Sequence, residues 1–147
     1  MTWEIDWAFG VPMLVGITVM HVSALVLVAY SLIVFERRRN APRSFLFFLL
    51  VCIYVATVII VLHGLESYGW ALLYVFLGAI PNWRDALLYS LNAFTAYGHE
   101  PIMLESKWKL LGAIEAMNGL LIFGITTAFL FAVLSELRPV RITKRET

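Results

Sequence analysis

The chain has 147 residues, of which 61% are apolar and only 14% charged, with a mean hydropathy of +0.84. A soluble domain covers itself with about a quarter charged residues, so this composition excludes one and points to a single domain in a lipid bilayer. The formal net charge of +1 is unevenly spread: Glu4 and Asp6 make the N-terminus acidic, while the runs 36–43 and 138–147 are basic. Both basic runs lie against apolar spans, so they read as cytoplasmic flanks under the positive-inside rule, and no nucleic-acid partner is expected.

Val11 to Phe35 carries no Asp, Glu, Lys or Arg. About 25 helical residues reach roughly 37 Å, enough to cross a bilayer with some tilt. The run is too long for a signal-peptide core and has no basic region ahead of it, so it reads as a retained membrane helix. Trp3 and Trp7 suit the outer interface, and the arginines of the 36–43 run suit the inner one. Arginine at every third position is missing, which sets it apart from a voltage sensor. His21 is a lone histidine in this span. Such a residue can ligate a tetrapyrrole, but no second signal accompanies it.

The second apolar run starts at Ser44, after Pro42, and stays uncharged to Leu65. Cys52 lies inside it and, as the only cysteine, forms no intrachain disulfide. His63 and Glu66 stand three apart, on one helical face near the outer end of this run. Two ligands at that spacing are weak evidence for a metal, so no metal and no cofactor are expected, and a polar network is the preferred role. Residues 67–80 are again apolar. They either continue a tilted helix bent at Gly64 or Gly69, or form a separate interfacial helix from about Trp70, with Pro81 ending the segment.

Asn82 with Asp85 three residues later marks a helix start. The helix continues through Ala86–Phe94, and at about 12 residues it is too short to span. Non-helical backbone after such a helix is tolerated in a membrane only beside protein or a water-filled cavity, which implies a re-entrant loop. The hydrophilic Glu105–Lys109 stretch leads into a last span, Leu110–Ser135. Glu115 and Asn118 share one face of that span, continued at helical spacing by Gly119, Ile122 and Thr126. An ionisable group at that depth faces protein or water. Gly119 reads as a point of close helix approach, with an inner-helix hinge as the alternative. Phosphate loops, nucleophile–base arrangements and zinc spacings are missing, so no enzyme is expected.

Several of these residues fall into one longer pattern. The chain has His63, Glu66, Trp70, Ala71 and Tyr74 in the order HxxExxxWAxxY, then Trp108-Lys109-Leu110-Leu111-Gly112, then Glu115-Ala116-Met117-Asn118-Gly119-Leu120, Phe123-Gly124 and Thr127–Ala132. This half of the chain resembles the small bacterial two-transmembrane ion-channel family, which carries the pore module of the potassium-channel superfamily. The resemblance implies a pore helix, a filter strand and an inner helix. It sets Thr95-Ala96-Tyr97-Gly98-His99-Glu100-Pro101 against the family's Thr-Thr-Leu-Gly-Tyr-Gly-Asp. Thr95 and Gly98 are kept. His99 replaces the filter tyrosine, Glu100 the second glycine and Pro101 the aspartate.

In the family, carbonyls of four such strands replace the hydration shell of the ion, a backbone shape that glycine adopts at positive φ without steric cost. Glu100 has a Cβ and precedes a proline, which biases it towards extended geometry. The outer half of the filter is therefore expected to be remodelled, and potassium selectivity is not expected to carry over.

The apolar runs and the resemblance together give the expectation of an all-α membrane protein with three transmembrane helices, a re-entrant pore helix and a filter-like loop, assembled as a homotetramer. Residues 1–43 would form an extra transmembrane helix and a basic cytoplasmic loop, 44–137 the channel-like pore module, and 138–147 a basic tail. The expected site comprises Thr95, Ala96, Tyr97, Gly98, His99 and Glu100 in the filter, supported by His63, Glu66, Glu115, Asn118 and Gly119. Monovalent cations are the expected permeant ions, and the setting is a cell (inner or plasma) membrane with the N-terminus outside and the C-terminus cytoplasmic. The alternative is a non-conducting structural or accessory subunit of a larger membrane complex.

Overall fold

The computed structural model describes residues 3–38, 44–98 and 102–137. Residues 39–43 of the first basic run and the whole 138–147 run, together with His99, Glu100 and Pro101, lie outside the described residues. Four α-helices follow in order: α1 (Trp3–Arg37), α2 (Phe45–Phe76), α3 (Trp83–Phe94) and α4 (Lys109–Leu137), the last entered through a single 3-10 turn at Ser106–Trp108. Helices α1, α2 and the 106–137 stretch ending in α4 are each long and apolar enough to cross a membrane. Less than a quarter of the most apolar window of each is buried within the chain, at 22%, 22% and 17%. That apolar surface needs lipid or another protein to cover it, so the chain is a multi-pass membrane protein.

Helix α1 begins at Trp3, well before the span expected from Val11. Glu4 and Asp6 occupy its first turn, where negative charge complements the helix dipole. Pro12 lies inside α1, costing one backbone hydrogen bond without ending the helix. Of the two acidic residues, Asp6 is turned inwards. Its side chain is buried, and Oδ1 finds no partner among the described residues.

Ser44 caps α2 by accepting from the Phe47 N–H at 3.2 Å. The helix then runs unbroken to Phe76, so Trp70 starts no separate element. It stops before Pro81 for a local reason. Gly78 sits at φ +66°, its N–H donates to the Val75 carbonyl, and the Ala79 N–H donates to the Tyr74 carbonyl. That pair of bonds is the Schellman ending, for which glycine suits the left-handed position. Because α2 extends this far, His63 and Glu66 lie well inside the helix rather than near its outer end.

Asn82 caps α3 as its spacing predicts, accepting from the N–H groups of Arg84 at 2.9 Å and Asp85 at 3.4 Å. Helix α3 packs against both α2 and α4, and α1 packs chiefly against α4. One apolar core joins Ile17, Trp70, Tyr74, Phe94, Leu111 and Ile122 from all four helices. A second core, built around Leu25, Val55 and Ile59, joins α1, α2 and the end of α4.

Candidate functional site

Three buried polar clusters interrupt the apolar interior, and each ties together three helices. The first holds Glu115. The Tyr74 hydroxyl of α2 donates to Glu115 Oε2 at 2.6 Å, and Ser90 Oγ of α3 lies 2.5 Å from Oε1. Ser90 Oγ also lies 2.7 Å from the Ser67 carbonyl oxygen, so its one proton serves one of the two acceptors at a time. Tyr74, Ser90 and Glu115 are all fully buried. An ionisable group buried this deeply survives only with such partners.

The second cluster holds Asn118. Its Oδ1 accepts from the indole N–H of Trp70 at 3.1 Å, and its Nδ2 donates to Thr18 Oγ1 of α1 at 3.0 Å. One amide therefore joins α1, α2 and α4.

The third cluster joins His21, His63, Glu66 and Thr126. Glu66 Oε1 lies 2.6 Å from His21 Nδ1, and Oε2 lies 3.0 Å from His63 Nδ1. His21 Nε2 pairs with Thr126 Oγ1 of α4 at 2.9 Å. The two imidazoles stack with centroids 5.5 Å apart, and His63 lies against Phe123 at 4.6 Å and Phe94 at 5.9 Å. His21 and Glu66 are fully buried, while His63 retains 15% side-chain exposure.

Phe94 is the last residue of α3 and stands at the head of the Thr95–Gly98 tract. Gly119 makes this placement possible, because a Cβ there would fall on the Phe94 carbonyl group. Gly119 is thus a point of close approach between α4 and the backbone of α3. Thr95 ends α3, its hydroxyl donating to the Leu91 carbonyl at 2.7 Å. The Ala96 N–H donates to the Ala93 carbonyl and the Tyr97 N–H to the Asn92 carbonyl, both at 3.0 Å. This is a second Schellman ending, but alanine takes the left-handed position at φ +55°. Gly98 follows at φ +68°. All of Thr95–Gly98 is exposed on the single chain.

The structure therefore gathers the site residues named from the sequence into two groups. His63, Glu66, Glu115, Asn118 and Gly119 lie in the interior, beside or behind α3. Thr95, Ala96, Tyr97 and Gly98 lie on the surface, and His99 and Glu100 are outside the described residues. Sequence reasoning does not find Thr18 or Ser90. Each is a small polar residue in an apolar helix, and helical spacing alone does not say which neighbour it meets. The sequence marks His21 but gives it no partner, because its carboxylate lies 45 residues away on another helix.

Comparison with family models, with curated proteins and with solved structures gave no match.

Proposed function

We propose that this chain is a membrane cation channel resembling potassium channels, with an altered filter, and that four copies surround the pore. One observation carries the reading. Helix α3 has 12 residues, less than half the length of α1, α2 or α4, and it ends in exposed backbone that is neither helix nor strand. Such backbone is stable at membrane depth only against protein or water. A symmetric assembly that turns the tract towards a shared axis supplies both.

Two further features support a cation. The carbonyl end of α3 leads directly into the tract, and a helix C-terminus carries partial negative charge. Ala96 and Gly98, two residues apart, both have positive φ, the kind of local geometry that reorients successive carbonyls. Glu100 would add a ring of four carboxylates at the outer mouth, selecting cations over anions. Its Cβ and the following Pro101 oppose the backbone of a strict potassium filter. In this reading the N-terminus is outside the cell membrane and the C-terminus inside, as the basic runs direct.

The test is flux of K⁺, Na⁺ and Cl⁻ from liposomes containing the purified chain. Cation flux with little preference for K⁺ over Na⁺, reduced in Glu100→Ala, is the expected result. A well-folded tetramer that passes no ion would replace the channel reading with that of an accessory subunit. Strong selection of K⁺ over Na⁺ would refute the argument about Glu100.

A further inference from the structure

We propose that His21, His63 and Glu66 form a binding site for one divalent transition-metal ion of the zinc class, joining α1 to α2. Nitrogen and oxygen ligands bind Zn²⁺ at about 2.0–2.2 Å, which places neighbouring ligand atoms about 3–3.5 Å apart. The three candidate ligand atoms here lie within 4.8 Å of one another, and the two imidazole–carboxylate separations are 2.6 and 3.0 Å. Small side-chain rotations therefore open room for an ion. Two imidazoles and one carboxylate form a donor set that favours zinc, copper, nickel or iron over magnesium or calcium. A fourth position is left for water, and His63, the least buried of the three, marks the side of entry.

The surroundings favour the ion on two further grounds. A metal-bound histidine is held by a partner on its other nitrogen, and His21 Nε2 has one in Thr126. A hydroxyl can donate or accept. His21 can thus move its proton from Nδ1 to Nε2 when an ion arrives, without losing that bond. The far nitrogen of His63 is buried with no hydrogen-bond partner among the described residues, so ion binding breaks no other bond of that ring, and the orienting bond comes from His21 alone.

The second ground is charge. Among the described residues, Glu66 pairs only with the two histidines. With both neutral, an ionised carboxylate leaves one uncompensated negative charge within membrane-spanning helices, which is costly. A divalent ion bound there would pair with that carboxylate directly, leaving +1 shared over two imidazole ligands in place of an unpaired −1. The site also lies against Phe94, so occupancy would stiffen the support of the 95–98 tract. The proposal itself stands whether or not the chain conducts.

The experiment uses the full chain in detergent, without a histidine tag and stripped with a chelator. Zn²⁺ and Mg²⁺ binding are measured by equilibrium dialysis and Co²⁺ binding by visible absorption. One Zn²⁺ per chain is expected, with Mg²⁺ failing to compete. Thr126→Val should weaken binding about 10-fold through loss of the orienting hydroxyl, and His63→Gln should weaken it by about 100-fold or more. Because removing a buried ligand can disturb folding, His63→Cys gives a second readout. It keeps a metal ligand, and its Co²⁺ complex should gain a thiolate-to-metal absorption band that the parent lacks. No saturable Zn²⁺ binding would overturn the proposal, leaving a proton-sharing His–Glu–His network. So would binding that His63→Gln leaves unchanged, Mg²⁺ binding as tight as Zn²⁺, or bound Co²⁺ in His63→Cys without a thiolate band.

Discussion

Gly119→Ala tests how closely α4 must approach the end of α3. On helix propensity alone, replacing an interior glycine by alanine stabilises a helix by about 0.8–1 kcal/mol. Here the new methyl group would fall on the Phe94 carbonyl oxygen, within 2.8 Å of its carbon and 3.1 Å of its Cα. These are backbone atoms of a helix end held by its own capping bonds, so no side-chain rotation relieves the overlap. Overpacking of this kind costs about 1–3 kcal/mol, which outweighs the propensity gain at all but the lowest figure. The net expectation is a loss of up to about 2 kcal/mol and a displaced 95–98 tract. Gly16→Ala is the control, because Gly16 is also inside a long helix and a Cβ there meets nothing within 4 Å. It should stabilise or leave the protein unchanged. Thermal unfolding of both variants in the same detergent gives the answer. If Gly119→Ala is as stable as Gly16→Ala, α4 does not constrain α3 in this way.

The remaining predictions concern the polar clusters and the capping geometry. Tyr74→Phe removes the hydroxyl that donates to Glu115 Oε2 and leaves that oxygen short of a partner in a buried site. A loss of about 1–3 kcal/mol is expected in chemical unfolding. Asn118→Leu strands the Trp70 N–H and the Thr18 hydroxyl together. It should destabilise by about 2 kcal/mol or more and blue-shift or broaden the Trp70 fluorescence contribution, read against a Trp70→Phe background. Ala96→Gly relieves a left-handed alanine worth about 1–2 kcal/mol of strain, partly offset by the extra entropy of an unfolded glycine. It should raise the unfolding midpoint slightly, and a fall would mean that Ala96 is not held at positive φ.

What the sequence made legible follows from how local each signal is. The Asn82 cap and the twelve-residue length of α3 were readable because the capping side chain and the amides it serves lie within three residues. The three spans were readable from uninterrupted apolar runs. The sequence points to Pro81 as the end of the segment because proline is a conspicuous breaker, whereas α2 ends at Phe76. The operative signal is Gly78, whose left-handed conformation completes a hydrogen-bond pattern six residues wide. The partners of His21, Thr18 and Ser90 were not readable at all. They depend on which helix faces which, and no short-range period in one helix encodes that.

That last failure bears on how the fold is specified. In lipid, one apolar helix face is nearly as good as another, so packing detail and interhelical hydrogen bonds decide which faces meet. Helix α1 shows this most directly, since it reads in the sequence only as an additional hydrophobic span. In the structure, Thr18 bonds to α4 through Asn118, and three residues later His21 bonds to both α2 and α4. Residues three apart share a helix face, so this pair fixes both the rotation and the depth of α1 against its neighbours. Gly10, on the same helix, closes against Ile114 and Leu111 of α4. Helix α1 is therefore integral to the core that holds α3 and not an appendage to it. Losing the Thr18 and His21 bonds together should free α1 to rotate while the apolar surface stays the same. In a Thr18→Val, His21→Leu variant, crosslinking between cysteines placed on α1 and α4 should spread over several registers. A single surviving register would mean that apolar packing alone aligns the helix.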